Sequence, residues 1–179
     1  MKKFTNNSRK GFTIIEVSLV LAIAGLIFLM IFVALPALQR GQRDAQRRDD
    51  IMTYLEQLKK YQTNNRGNLP SDESWKAKFT DVYFKGHSDP SSGDAYGQEI
   101  VSCEKQGSSV KTGNACDHGS VKNIYESDFP YGNYTILVVR QATCGEDSGG
   151  NVYPVKTSNP RSVAALYRLE VGGVYCDNI

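Results

Sequence analysis

The sequence predicts an α+β fold: a long N-terminal α-helix, transmembrane and then amphipathic, packs against a small antiparallel β-sheet head. Three observations predict it. Residues 17–35 form a run of 19 uncharged, mainly apolar residues, residues 39–65 have a helical apolar period, and the strongest strand-like runs lie in the last third of the chain. The 179 residues exclude a large barrel or a two-domain nucleotide enzyme, and the net charge of +2 gives no reason to expect a nucleic-acid partner.

The apolar run is long enough to cross a bilayer, for which about 20 residues are needed. Residues 1–11 ahead of it hold four positive charges and no acidic residue, so the positive-inside rule predicts a single-pass protein with a cytoplasmic N-terminus. A conventional cleaved signal has an apolar core of only about 7–15 residues, which makes an uncleaved anchor the simplest alternative. The preceding positive charges are Lys2, Lys3, Arg9 and Lys10.

Glu16 lies in the first turn of the apolar helix, where a carboxylate is costly. The cost is roughly 2.5–3.5 kcal/mol at the bilayer centre and less near an interface. One explanation is that Glu16 reaches back to the cytoplasmic headgroups. The other is that it pairs with a cation: a cut between Gly11 and Phe12 creates an α-amine four residues before Glu16, on the same helix face. In a dry helix bundle that amine would compensate the buried charge.

Residues 10–17, Lys-Gly-Phe-Thr-Ile-Ile-Glu-Val, together with the apolar stretch that follows, resemble the prepilin signal of type IV pilins and of type II secretion pseudopilins. The resemblance implies that a membrane prepilin peptidase cuts after Gly11, that the new Phe12 amine is N-methylated, and that Glu16 registers an incoming subunit during assembly. It also implies a pilin-like organisation into four parts: leader peptide 1–11, transmembrane and assembly helix 12–38, amphipathic stalk helix 39–66, and globular head 67–179.

The stalk carries one apolar stripe, which predicts that this half of the helix packs on the head. The stripe consists of Ile51, Tyr54, Leu55, Leu58 and Tyr61. Asp44 and Arg48 form an i,i+4 pair that favours a solvated opposite face. A helix from residue 12 to residue 65 would be about 80 Å long, more than a head of about 110 residues can cover. Its first half is therefore expected in a membrane or in a bundle of like helices.

In the head, strands are expected at residues 133–140, 162–170 and 173–176, with a hairpin turn at 171–173. Residues 86–123 have little periodicity and are predicted to form a long surface loop, with a short strand at 99–103. Four cysteines permit three pairings, of which Cys103–Cys116 and Cys144–Cys176 are favoured. No cysteine or histidine spacing typical of a zinc site occurs.

Two acidic loops are weak calcium candidates. Residues 89–96 resemble a segment frequent in pseudopilin-like heads, residues 146–151 are rich in oxygen donors, and some pseudopilins bind calcium in such loops. Hydrophilic turns without a metal are the favoured explanation, because neither segment follows the EF-hand pattern. The candidate ligands are Asp89, Asp94, Glu146 and Asp147. No cofactor and no enzymatic activity are expected, since no catalytic motif is present.

The resemblance implies a structural subunit that polymerises with itself and with other pilins into a type IV pilus or pseudopilus-like filament, supporting adhesion, motility, secretion or DNA uptake. Its expected partners are the prepilin peptidase, the assembly motor and platform proteins and the membrane, with no specific nucleic acid. The protein is expected in the plasma membrane with its head outside, and then in an extracellular filament. The alternative is a non-polymerising, single-pass anchored binding or sensor domain, which has no use for a cut at Gly11.

Overall fold

The computed structural model describes residues 11–103, 116 and 135–179. It divides into two units, Met1–Gln39 and Arg40–Ile179. The basic leader residues 1–10, and most of the predicted loop after residue 103, lie outside the described residues.

Helix α1, Ile14–Asn64, belongs to both units and continues through Pro36. Within the described residues it is the one helix long and apolar enough to cross a membrane, judged by length and composition alone. In the first unit its large apolar side chains are exposed, as expected for a surface that lipid or other helices would cover. The helix begins two residues later than the sequence predicts, because Thr13 caps it.

The C-terminal end of α1 agrees with the turn signal in the sequence. The amide of Gly67 donates to the carbonyl of Gln62 at 2.7 Å, which closes the last turn. Arg66 and Gly67 both adopt left-handed backbone conformations, with φ of 57° and 82°. A glycine is favoured in this conformation because it has no Cβ to clash with the backbone.

The second unit contains a four-stranded sheet in the order β1-β2-β5-β6 and a separate two-stranded ribbon of β3 and β4. The pairs β2–β5 and β5–β6 are antiparallel, and the second is the hairpin predicted from residues 171–173. The pair β1–β2 is parallel, so the expectation of a purely antiparallel sheet is wrong at this edge. The strands are β1 Gly97–Ser102, β2 Thr135–Arg140, β3 Ala142–Glu146, β4 Val152–Lys156, β5 Val163–Arg168 and β6 Val174–Asn178.

One face of this sheet packs on the apolar stripe of α1, which confirms the predicted α+β arrangement. The core there is aromatic: the ring of Tyr54 makes edge-to-face contacts with Phe79 and Phe84, at centroid distances of 5.1 and 5.0 Å. Phe79 and Phe84 come from a chain segment of short turns and helix α2, Asp81–Tyr83, which closes the side of the core.

The opposite face of the sheet has a second, smaller core of aliphatic residues. It consists of Val101, Leu137, Val139, Ala142, Ala164 and Leu166, and all four cysteines contribute to it. The disulfides are Cys103–Cys116 and Cys144–Cys176, the two pairings favoured from the sequence. The second of them fastens the β3–β4 ribbon to strand β6.

Candidate functional site

The first candidate site is the start of α1, where Thr13 and Glu16 form a capping box. The backbone amide and the hydroxyl of Thr13 both donate to Oε2 of Glu16, each at 2.8 Å. In return, the amide of Glu16 donates to the Thr13 hydroxyl oxygen at 3.3 Å. This reciprocal arrangement satisfies backbone donors that the first helical turn leaves without partners. Glu16 therefore has a local structural role that its cost in a membrane did not reveal.

The predicted cleavage point lies just ahead of this cap. Gly11 and Phe12 precede the helix, and Phe12 is 88 % exposed. A Cβ added at Gly11 would have no neighbouring atom within 4 Å. The peptide bond between them is thus on an exposed, non-helical connection, as a peptidase requires. Because Phe12 lies outside the helix, the expected i,i+4 relationship to Glu16 on one helix face is absent from the uncut chain.

Residues 6–32 match the family of the prokaryotic N-terminal methylation motif. This chain carries a prepilin signal. The match includes the Gly11–Phe12 bond, the Thr13–Glu16 cap and the first part of the apolar helix, and it confirms the resemblance to type IV pilin and pseudopilin precursors. No curated protein and no solved structure matches the chain. The prepilin signal implies processing by a prepilin peptidase and an N-terminal membrane anchor.

The second candidate site is a buried ion-pair network in the second unit, residues 40–179. Its centre is Arg47, whose guanidinium donates to both carboxylate oxygens of Asp89 at 2.7 and 3.0 Å. The same guanidinium contacts Asp44 at 2.9 Å and Glu170 at 2.8 Å. The hydroxyl of Tyr167 donates to Asp89 at 2.8 Å. Arg47 and Asp89 are 2 % and 0 % exposed, so both charges depend on these partners.

The network has a clear electrostatic consequence for its carboxylates. Burial raises the pKa of Asp89, but hydrogen bonds from Arg47 and Ser91 outweigh burial and hold that pKa well below its usual range. Burial also raises the pKa of Asp44, and the backbone amides of Glu170 and Val171 bring it below its ordinary value. These acids therefore stay ionised, and the network keeps its charges, through the neutral pH range.

Two of the four weak calcium candidates, Asp89 and Asp147, have carboxylates that accept hydrogen bonds from the protein. Both oxygens of Asp89 bind protein donors, and Asp147 accepts bonds from the amides of Gly149 and Asn151, each at 2.8 Å, which form a turn. Within residues 11–103, 116 and 135–179, no three acidic, histidine or cysteine side chains lie close enough together to hold a metal ion.

The predicted pair of Asp44 with Arg48 is wrong. Asp44 pairs with Arg47 at 2.9 Å rather than with Arg48, and both members of that pair are buried rather than solvated. Arg48 instead lies over the ring of Tyr175, 5.7 Å from its centroid. The spacing of Asp44 and Arg47 indicates that they are buried, because positions 44 and 47 continue the alternating three- and four-residue intervals of the apolar stripe.

Proposed function

We propose that this chain is a prepilin whose mature form polymerises into a type IV pilus or pseudopilus-like surface filament. The observation that carries the proposal is the prepilin signal at residues 6–32, which leads directly into an apolar helix with exposed side chains. Polymerisation would replace the contacts of this helix with lipid by contacts with the helices of other copies. Small residues permit close approach of neighbouring helices; they are Ala22, Ala24, Gly25, Ala34 and Ala37.

In this proposal the precursor inserts with its N-terminus in the cytoplasm and its head outside. The prepilin peptidase cuts after Gly11, and the α-amine of Phe12 is methylated. The leader holds four Lys and Arg and no acidic residue, so the mature chain keeps 17 of the 21 basic residues against 19 acidic ones, and the net charge changes from +2 to −2. The basic charge of the precursor thus acts only in setting its topology.

Assembly would then join copies of this chain, with other pilins, through the motor and platform proteins of the envelope. The carboxylate of Glu16 pairs with the Phe12 amine of a neighbouring copy and fixes the register. The role is structural, with no catalytic step. The filament would serve adhesion, motility, secretion or DNA uptake.

The proposal is tested by mass spectrometry of intact protein from the membrane and from material sheared off the cell surface. The expected result is a mature N-terminus at methylated Phe12 in the sheared polymer. A Gly11→Val variant should keep its leader and stay in the membrane. Gly41→Val is the matched control, because Gly41 also has open space around it but lies outside the signal. Its N-terminus should be processed normally.

The same measurement separates the proposal from a single-pass anchored binding domain that never polymerises. That protein would keep Met1 in the membrane-bound form and would be missing from the sheared fraction. Such a result would refute the prepilin proposal.

A further inference from the structure

The buried face of α1 in the second unit changes character along the helix. Six positions, 44, 47, 51, 54, 58 and 61, follow one another at intervals of three and four residues, and all six are buried. The last four are Ile51, Tyr54, Leu58 and Tyr61, which belong to the aromatic core. The first two are Asp44 and Arg47. Within the second unit, charged contacts therefore bind the earlier turns of α1, around residues 44–47, and apolar packing binds the later turns.

The charged part of this face binds two other segments at once. Arg47 pairs with Asp89 of the loop at residues 88–92 and with Glu170 of the hairpin at residues 169–173. Asp44 accepts the backbone amides of Glu170 and Val171 at 2.9 and 3.0 Å. Arg43 adds a two-pronged contact to Glu170 at 2.9 and 2.7 Å. One set of bonds therefore holds three separate stretches of chain together.

Opening this set of contacts differs physically from opening the aromatic core. A buried ion pair loses much of its attraction to the cost of stripping water from both charges, and separated charges regain that hydration. Aromatic side chains gain no such compensation when they are exposed to water. The charged end of the face is therefore the part that water can enter at low cost while the apolar part stays closed.

We propose that Arg47 is the centre of an openable polar latch. Residues 43–48, 88–92 and 169–173 separate and re-form as one unit while the aromatic core remains closed. The latch is independent of the proposed function. A filament subunit would use it to adjust two loops of its head against neighbouring copies, and that use alone depends on polymerisation.

Native-state hydrogen exchange of the full-length protein in detergent micelles, read by mass spectrometry, tests the latch. Arg47→Met keeps an unbranched side chain and removes the charge. The expected result is that exchange rises about tenfold or more in residues 43–48, 88–92 and 169–173 together, with less than about a twofold change in residues 54–61 and 163–167. Arg140→Met is the matched control, because Arg140 forms an exposed ion pair with Asp72 at 2.6 Å. It should leave all three segments unchanged.

Two results of the Arg47→Met experiment would overturn the proposal. An equal rise throughout the head, with residues 54–61 included, would make Arg47 an ordinary core residue. An unchanged exchange rate in the three segments would show that they do not form a latch.

Tyr167→Phe covers the case in which Arg47→Met fails to accumulate, because it removes only the hydroxyl that donates to Asp89. A smaller rise, about threefold, is expected in all three segments. A change confined to residues 88–92 would show that they do not open as a unit. None of these measurements depends on filament formation, so the latch and the prepilin proposal fail separately.

Discussion

Substitutions at Thr13 and Glu16 separate two roles of one carboxylate, the observed helix cap and the proposed charge pairing. Thr13→Ala removes the hydroxyl from the capping box and keeps the charge of Glu16. Glu16→Gln keeps a side chain that serves in a capping box and removes the charge. Glu16→Ala removes both. The three variants together form a factorial test within one helical turn.

The expected effects on filament yield follow from the energies of the helix cap and of the charge pair. Loss of a cap costs about 1 kcal/mol, which is about fivefold in the population of an intact first turn. Both Glu16 variants would leave the Phe12 amine of the neighbouring copy without its carboxylate, and an unpaired charge in a dry helix bundle costs up to roughly 2.5–3.5 kcal/mol, or roughly 60- to 300-fold, with a smaller effect near the interface. The charge should therefore dominate. The filament yield of Thr13→Ala should be within about fivefold of that of the unmodified protein. The filament yield of both Glu16 variants should be more than about tenfold lower.

The assay is the amount of protein in the sheared surface fraction, divided by the amount in the membrane. Membrane insertion and cleavage are expected to stay largely intact in all three variants, which the N-terminal sequence of the membrane fraction checks. Glu16→Gln filaments at the unmodified level, with Thr13→Ala and Glu16→Ala equally low, would assign the role of Glu16 to the cap. The charge-pairing mechanism would then be refuted.

Three further predictions concern the stability of the head, each measured as a melting temperature by circular dichroism in detergent. Because the pKa of Asp89 is lowered on folding, its contribution is complete at neutral pH and should decrease as the pH falls below about 4; a flat profile from pH 7 to pH 2 would contradict this. Asp89→Ala removes the two-pronged contact to the buried Arg47, which keeps its ion pairs with Asp44 and Glu170, and should cost about 3 kcal/mol, a fall of roughly 10 °C, whereas the control at exposed Asp94 should have little effect. Paired serine substitutions should cost about 4 kcal/mol at Cys144–Cys176 and about 3 kcal/mol at Cys103–Cys116, because the sequence separations are 32 and 13; the reverse order would contradict the loop-entropy account.

The sequence predicted the elements whose signals are local. The prepilin signal is a short motif in fixed register, the apolar run is unbroken by charge, and the residues from Gly67 onward end the helix where the structure ends it. The strands β5 and β6 were visible because an apolar run and a glycine turn lie side by side in the chain. No long-range information was needed for any of these features.

The features that were missed depend on contacts between distant residues. Strand β1 pairs in parallel with β2, which no local turn signal announces. The ribbon of β3 and β4 contains Pro154 and Gly145, which weaken a strand signal in sequence. The ion pair of Arg47 with Asp89 could not be predicted, because the two residues are 42 positions apart and the sequence does not specify the conformation of the loop that holds Asp89. A spacing rule that ignores residue type would have found positions 44 and 47, whereas a rule restricted to apolar residues ended at Ile51.

Charged residues at positions 44 and 47 meet two requirements that apolar residues there could not meet together. The stripe of α1 must continue toward the head loops, and apolar residues at 44 and 47 would supply more burial energy than an ion pair supplies. They would also lengthen the apolar stretch of the sequence, which Arg40, Arg43 and Arg47 interrupt. Because Asp89 lies 42 residues away, Arg47 gains this partner only in the folded chain, while the sequence after the apolar run stays charged. Because Asp44 would lose its cation with Arg47, the test replaces all three buried charged residues of the network. Asp44→Leu, Arg47→Leu and Asp89→Leu together should preserve head stability to within about 2 kcal/mol while extending the apolar stretch, and a loss of more than about 4 kcal/mol would contradict this account.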